Sequence, residues 1–296
     1  MRRILISCLL AALFVGGGTA AESPQRVLVA PAWLAEHLRD SSLVVLHIAG
    51  LREDYAREHI PGARFLWPSW MAVSTPERSF EMMPLDTLRA VLERLGVSNH
   101  SQIVLCHSLG DMAAAARVYV TLDYLGMGDR TAILDGGLEA WKAAGEPVTK
   151  ETPKYEAGAF VPKTRKDAIV DLEYVKSKYR DEGVRMVDGR SAQAFNAGSG
   201  VGAFRGGHIP GAVNIPFSAV ADSLNRYQPL DSLKTAFEKA GITPATQIVT
   251  YCSVGRTACP VYVAARMLGY DVRLYDGSFE EWSRQEDLPV ESAGKK

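Results

Sequence analysis

Blocks of like charge are missing from this sequence: 33 lysines and arginines stand against 34 acidic residues, a formal net charge of −1, and neither sign gathers into a long run. This excludes a nucleic-acid footprint and a polybasic membrane patch, so any basic group that matters acts locally. Cysteine is scarce too, with four among 296 residues, too few for a disulfide framework. No apolar run reaches the roughly 20 residues that span a bilayer. Apolar residues are nevertheless plentiful, 47% against 23% charged, which excludes a disordered scaffold. At about 150 residues per domain, the length allows two domains, each with a packed core.

The chain opens on Met1-Arg2-Arg3, an apolar run from Ile4 to Val15, and a small-residue exit through Gly16, Gly17, Gly18, Thr19, Ala20 and Ala21. That pattern reads as a cleavable secretory signal over residues 1–21, with cleavage after Ala20 or Ala21. The mature chain is then expected to be periplasmic and soluble, with no membrane anchor. Loss of Cys8 leaves Cys106, Cys252 and Cys259. An odd number of thiols in an oxidising compartment leaves at least one unpaired.

Self-similarity organises the remainder. His59-Ile60-Pro61-Gly62-Ala63 recurs as His208-Ile209-Pro210-Gly211-Ala212. The run Ile103 to Gly110 matches Ile248 to Gly255, and Asp135-Gly136-Gly137-Leu138-Glu139-Ala140-Trp141 matches Asp276-Gly277-Ser278-Phe279-Glu280-Glu281-Trp282. The three matches keep the same order at a spacing that drifts by only a few residues. They delimit a first domain at 24–148, a polar linker at 149–166 and a second domain at 167–292. Within each, short apolar runs of strand length (Leu43 to Ile48, Gln102 to Leu105, Thr131 to Leu134; Arg185 to Asp188, Gln247 to Tyr251, Val272 to Tyr275) alternate with helix-period stretches such as Leu85 to Leu95 and Ser232 to Ala240. The expectation is an α/β fold, each unit a mainly parallel sheet flanked by helices, with the site outside the carboxyl ends of the strands.

Between a buried strand ending at Tyr251 and a helix read from Pro260 to Leu268 lies Cys252-Ser253-Val254-Gly255-Arg256-Thr257. A tight loop before a helix N-terminus aims backbone N–H groups at one spot and adds the positive end of the helix dipole. Cys252 is therefore read as a stabilised thiolate nucleophile, with Arg256 placing positive charge at the rim. Ser253, Val254 and Gly255 contribute chiefly backbone, and Thr257 is read as the helix cap.

With the Cys252–Thr257 loop, Asp188-Gly189-Arg190, both His-Ile-Pro-Gly-Ala segments and the Asp276–Trp282 ending, the chain resembles the rhodanese family of sulfurtransferases, as two rhodanese-like domains in tandem. The resemblance implies a double displacement. Cys252 takes the outer sulfur of a small anionic donor, thiosulfate favoured over 3-mercaptopyruvate, becomes a persulfide, and passes the sulfur to a thiophilic acceptor such as cyanide or a thiol. It implies no metal and no organic cofactor. It also sets Asp188 and Arg190 beside the cysteine loop, where an ion pair shaping the loop and direct substrate contact weigh equally.

The halves serve as each other's control. Where the second has Cys252, Arg256, Asp188 and Arg190, the first has His107, Asp111, His47 and, near the last, Ala49. The first domain is thus expected to be non-catalytic and to provide a partner surface. Cys106 stands one residue early, so strand alternation turns it to another face as core, and Cys259 reads as core rather than a resolving thiol. His59 and His208 occur in both halves and read as turn residues. Many family members place another arginine four residues beyond the Asp-x-Arg arginine; here that position is Ala194, and Arg205 or Arg256 could supply the charge instead. The alternatives are an exported persulfide carrier serving a partner protein and, less favoured, a cysteine phosphatase or arsenate reductase. Those loops place an arginine six residues after the cysteine, where this chain has Ala258.

Overall fold

The computed structural model describes residues 27–76, 78–199 and 204–292; the export signal read at 1–21 lies outside them. In chain order the first half forms β1 (Leu28–Val29), α1 (Pro31–His37), β2 (Leu43–Ile48), α2 (Arg52–Arg57), β3 (Arg64–Leu66), β4 (Ala72–Val73), β5 (Glu81–Met82), α3 (Leu85–Arg94), β6 (Gln102–His107), α4 (Met112–Tyr124), β7 (Thr131–Leu134) and α5 (Gly137–Ala143). The second half forms β8 (Ile169–Val170), α6 (Leu172–Lys178), β9 (Val184–Asp188), α7 (Ala192–Phe195), β10 (Val213–Asn214), α8 (Phe217–Val220), α9 (Leu230–Lys239), β11 (Gln247–Tyr251), α10 (Cys259–Met267), β12 (Val272–Tyr275) and α11 (Ser278–Arg284).

The first sheet runs β1-β7-β6-β2-β3 and the second β8-β12-β11-β9-β10, all pairs parallel. The two orders are the same. The central strands β2, β6 and β11 are the continuous apolar runs of the sequence, as strands covered on both faces require. The two- and three-residue edge strands and the antiparallel β4–β5 ribbon leave no periodicity for a sequence to show.

The two domains do not keep separate cores. Their outer faces do, one built on Leu34, Leu134 and Trp141, the other on Val175, Tyr275 and Trp282. Their inner faces merge into one cluster around α4 and α10, including Leu88, Tyr119, Val120, Phe237, Val261 and Ala265. Every α4 residue from Met112 to Asp123 is buried, which explains a helix apolar nearly all round. Nor does the polar segment 149–166 run free: its Gly158 N–H donates to Glu93 O at 2.7 Å and its Arg165 N–H to Tyr124 O at 2.7 Å, and Phe160 is buried. Parallel strands of both sheets end on the side where the loops before α4 and α10 lie.

Candidate active site

Cys252 follows the last residue of β11, and Asp188 closes the neighbouring β9, paired with Tyr251. The loop is held from outside. Cys252 N–H donates to Ser278 Oγ at 3.2 Å, while Phe279 N–H donates to Cys252 O at 2.9 Å and Glu280 N–H to Ser253 O at 3.0 Å. Gly255 has φ +71°, and a Cβ there would stand 2.7 Å from Asp276 O. Glycine is needed twice over, for the left-handed turn and for the close approach. The turn brings Arg256 N–H to Cys252 Sγ at 3.2 Å. Sequence reasoning expected several N–H groups on that spot; among the described residues, Arg256 N–H is the backbone donor that reaches the sulfur. Cys252 itself is 1% exposed.

Beside the loop opens a pocket of about 200 Å³, lined by Arg190, Ala194, Phe204, Arg205, Ser253, Val254 and Phe279 among others. The loop therefore meets solvent through Ser253, which is exposed, and Val254. Arg190 Nε donates to both Asp188 carboxylate oxygens at 3.0 Å, its Nη2 donates to Gly207 O at 2.8 Å, and its guanidinium lies 4.2 Å from the Phe279 ring centre. Asp188 is fully buried. Arg190 thus is both ion-paired and a wall of the pocket.

Neither stand-in for the arginine missing at Ala194 is an unengaged clamp. Arg205 donates to Ser283 O at 2.8 Å, Leu288 O at 2.8 Å, Gln285 O at 2.7 Å and Trp282 O at 3.4 Å, closing off the C-terminal end of α11. Arg256 Nη2 donates to the Asp111 carboxylate at 2.6 and 2.7 Å. Thr257 is not the helix cap: α10 starts at Cys259, its cap position is Ala258 in helical geometry, and no side chain caps it. Thr257 remains a partly buried loop residue.

Several contributors come from the first domain and were not foreseen. The fully buried Arg117 of α4 donates to Gly255 O at 3.1 Å and to Phe80 O at 3.2 Å, and pairs with Asp276. Ser79 donates through N–H (2.9 Å) and Oγ (3.2 Å) to Glu280, and Met82 N–H donates to Asp276 at 3.0 Å. Ser278, Asp276 and Glu280 could have been found, since they belong to the ending repeated in both halves. Nothing in the sequence marks Arg117.

At the equivalent place in the first domain, His107 and His47 are buried, and both rings are held down to about 4, chiefly by desolvation. Both ring nitrogens of His47 and Nδ1 of His107 lack a hydrogen-bond partner among the described residues. Cys106 lies in the outer-face cluster with Trp141 and Leu138, not in the inner cluster that holds Cys252, and burial pushes its thiol up. Cys259 is free and buried, its Sγ donates to Gly255 O at 3.2 Å, and burial pushes it up to about 12. His59 and His208 do equivalent work. Each stacks on an aromatic ring, Tyr55 at 3.9 Å and Phe195 at 3.6 Å between centres, and each N–H ties the segment ending its domain, at Thr149 and Glu291. No group of three or more His, Cys, Asp or Glu side chains among the described residues is placed to hold a metal ion, and no described helix is long and apolar enough to cross a membrane.

The model of the rhodanese-like domain matches the chain twice, at residues 30–144 and 171–285. The chain is 30% identical to a thiosulfate sulfurtransferase of Azotobacter vinelandii, over 90% of its own length and 97% of that protein's. It is also 30% identical to a sulfur carrier protein of Thermus thermophilus, over 89% and 96%. Among solved structures it shares the fold of the anaerobic ergothioneine biosynthesis enzyme of Chlorobium limicola, with a TM-score of 0.80 at 23% identity, over 91% of this chain and 71% of that one.

Proposed function

Because this chain belongs to the rhodanese family, with one such domain in each half, we propose that it is a sulfurtransferase working through a persulfide on Cys252, with thiosulfate as the favoured donor. The observation that carries this reading is the cysteine at the end of β11, its sulfur receiving the Arg256 N–H at 3.2 Å in a loop that lines a small pocket. The Cys252 thiolate attacks the outer sulfur of thiosulfate, the new S–S bond forms as the old one breaks, and sulfite leaves with the electron pair. A nucleophilic acceptor, cyanide or a thiolate, then attacks the outer sulfur of the persulfide and Cys252 leaves as thiolate. Both steps are anionic exchanges at sulfur, and an N–H aimed at the departing thiolate stabilises it. In this reading Ser253, Val254, Gly255, Arg256, Thr257 and Arg190 bind the substrate, and Asp188 supports the site through its ion pair with Arg190.

Purified protein should turn over thiosulfate and cyanide, and Cys252→Ser should not. After thiosulfate alone, the Cys252 peptide should gain one sulfur, about 32 Da, and the Cys106 peptide none. Absence of both signals sinks the reading. A second reading, a persulfide carrier that hands sulfur to a partner protein, is favoured by the sulfur carrier relative and by Ala194, which leaves the pocket without the second donor arginine. A stable Cys252 persulfide that cyanide discharges slowly but a partner thiol discharges fast would select it. The N-terminal pattern supports export to the periplasm, which cell fractionation with N-terminal sequencing of the mature chain would test.

A further inference from the structure

We infer that Arg117, a residue of the non-catalytic domain, is the positioning residue that aims the activating N–H at the Cys252 sulfur. The argument rests on one peptide unit. Arg117 Nη1 donates to Gly255 O at 3.1 Å, and the N–H that reaches Cys252 Sγ at 3.2 Å belongs to Arg256. Gly255 C=O and Arg256 N–H are the two ends of the same planar trans peptide, so gripping the oxygen fixes the direction of the hydrogen. Gly255 has no Cβ to restrict the rotation of this peptide, so the grip on its oxygen does what a side chain would otherwise do. A cation on the carbonyl end further polarises the unit and strengthens its N–H as a donor.

The grip is built to stay. Arg117 is 2% exposed, Asp276 balances its charge, and Phe80 O takes another of its hydrogens. Cys259 Sγ donates to the same Gly255 oxygen at 3.2 Å, a second clamp on the carbonyl end. Other charged groups around the loop are engaged elsewhere: Arg256 with Asp111, Arg190 with Asp188, and Glu280 with Arg284. The pair of half-domains therefore makes one site, the second supplying the thiol and the first the residue that orients its hydrogen-bond donor.

This inference rests on Cys252 being the nucleophile, and its test reads that thiol without any sulfur donor. The rate of Cys252 alkylation by iodoacetamide is compared in the full chain near neutral pH and near pH 10, where a free thiol is ionised. The variant Arg117→Met/Asp276→Asn removes the charge pair together, and Arg117→Lys keeps a cation beside Asp276 but loses the fork. The expected result is an alkylation rate about tenfold lower near neutral pH in Arg117→Met/Asp276→Asn, with much less loss near pH 10 and partial recovery in Arg117→Lys. A rate within about twofold of the parent at both pH values in Arg117→Met/Asp276→Asn with its cooperative thermal transition retained overturns it, as does a folded Arg117→Lys that is no slower than the parent at either pH. An equal loss at both pH values also overturns it, because that signature is altered access rather than altered hydrogen bonding. If sulfur transfer is absent but the alkylation pattern appears, the assignment of Arg117 stands while the sulfurtransferase reading fails.

Discussion

The two halves of this molecule are the same parallel sheet drawn twice, yet a cysteine, Cys252, directly follows β11 in one, whereas a histidine, His107, closes β6 in the other. Around Cys252 most buried polar groups find partners, Asp188 in Arg190, Cys252 N–H in Ser278 and Gly255 O in Arg117, with the Arg117 Nε left without one among the described residues. Around His107 they do not, and two imidazoles lie buried with unpartnered nitrogens. The difference teaches that the loop geometry after a central strand belongs to the fold, whereas its chemistry belongs to a handful of side chains, some from the other half. The first domain has a histidine where the second has Cys252, and its α4 packs against α10 and sends Arg117 to the cysteine loop.

The widest break in the comparison is replacement of the nucleophile. Cys252→Ser should lower thiosulfate:cyanide turnover by at least about a thousandfold, whereas His107→Cys in that background should restore none of it, because Asp111 stands where the second half has Arg256. Measurable recovery there would mean the fold alone makes the site. Next is Gly255→Ala, which forces a Cβ into the left-handed region against Asp276 O. We expect about 1–3 kcal/mol of lost stability, read by denaturant unfolding, together with slower alkylation of Cys252.

Acid should distinguish the halves through the buried histidines. Folded His47 and His107 titrate at about 4 against 6.5 for the free side chain. Between these values the unfolded chain binds more protons, so stability is full above about pH 6.5 and declines as pH falls toward 4. Each ring contributes up to about 3 kcal/mol to that decline. Thermal unfolding from neutral to acid should show it, and His47→Phe should flatten it; an unchanged slope would contradict the assignment. The smallest effect belongs to the partly exposed Arg256–Asp111 pair. Arg256→Ala should cost less than about 1 kcal/mol while slowing turnover several-fold, since its backbone N–H stays in place.

Much of this was legible in the chain. Gln247 to Tyr251 and Gln102 to Leu105 read as strands because a strand buried on both faces must be apolar throughout, and β11 keeps those bounds while β6 runs on to His107. Cys252 stood out because its loop precedes a helix, and the loss of its counterpart at His107 was visible from the repeat. Thr257 was misread as a cap, because the turn continues in helical geometry through Ala258 before the helix begins. Whether Arg205 or Arg256 replaces the missing arginine stayed open in the sequence; in the fold the Arg205 donors end on four backbone carbonyls and Arg256 pairs with Asp111. Arg117 gave no signal at all: an arginine inside an apolar helix has meaning only once another segment supplies the carbonyls and carboxylate that surround it.

Periodicity, repetition and local loop chemistry are properties of neighbouring residues, and so the amino-acid order alone determined the doubled α/β plan and singled out Cys252, with His107 at the matching place, as the candidates to test. Which charges are spent and which residues cross from one half to the other depend on contacts more than a hundred residues apart. Those pairings, Arg117 with Gly255 and Asp276, Asp111 with Arg256, Ser79 with Glu280, came into being only when the apolar faces of α4 and α10 closed on each other.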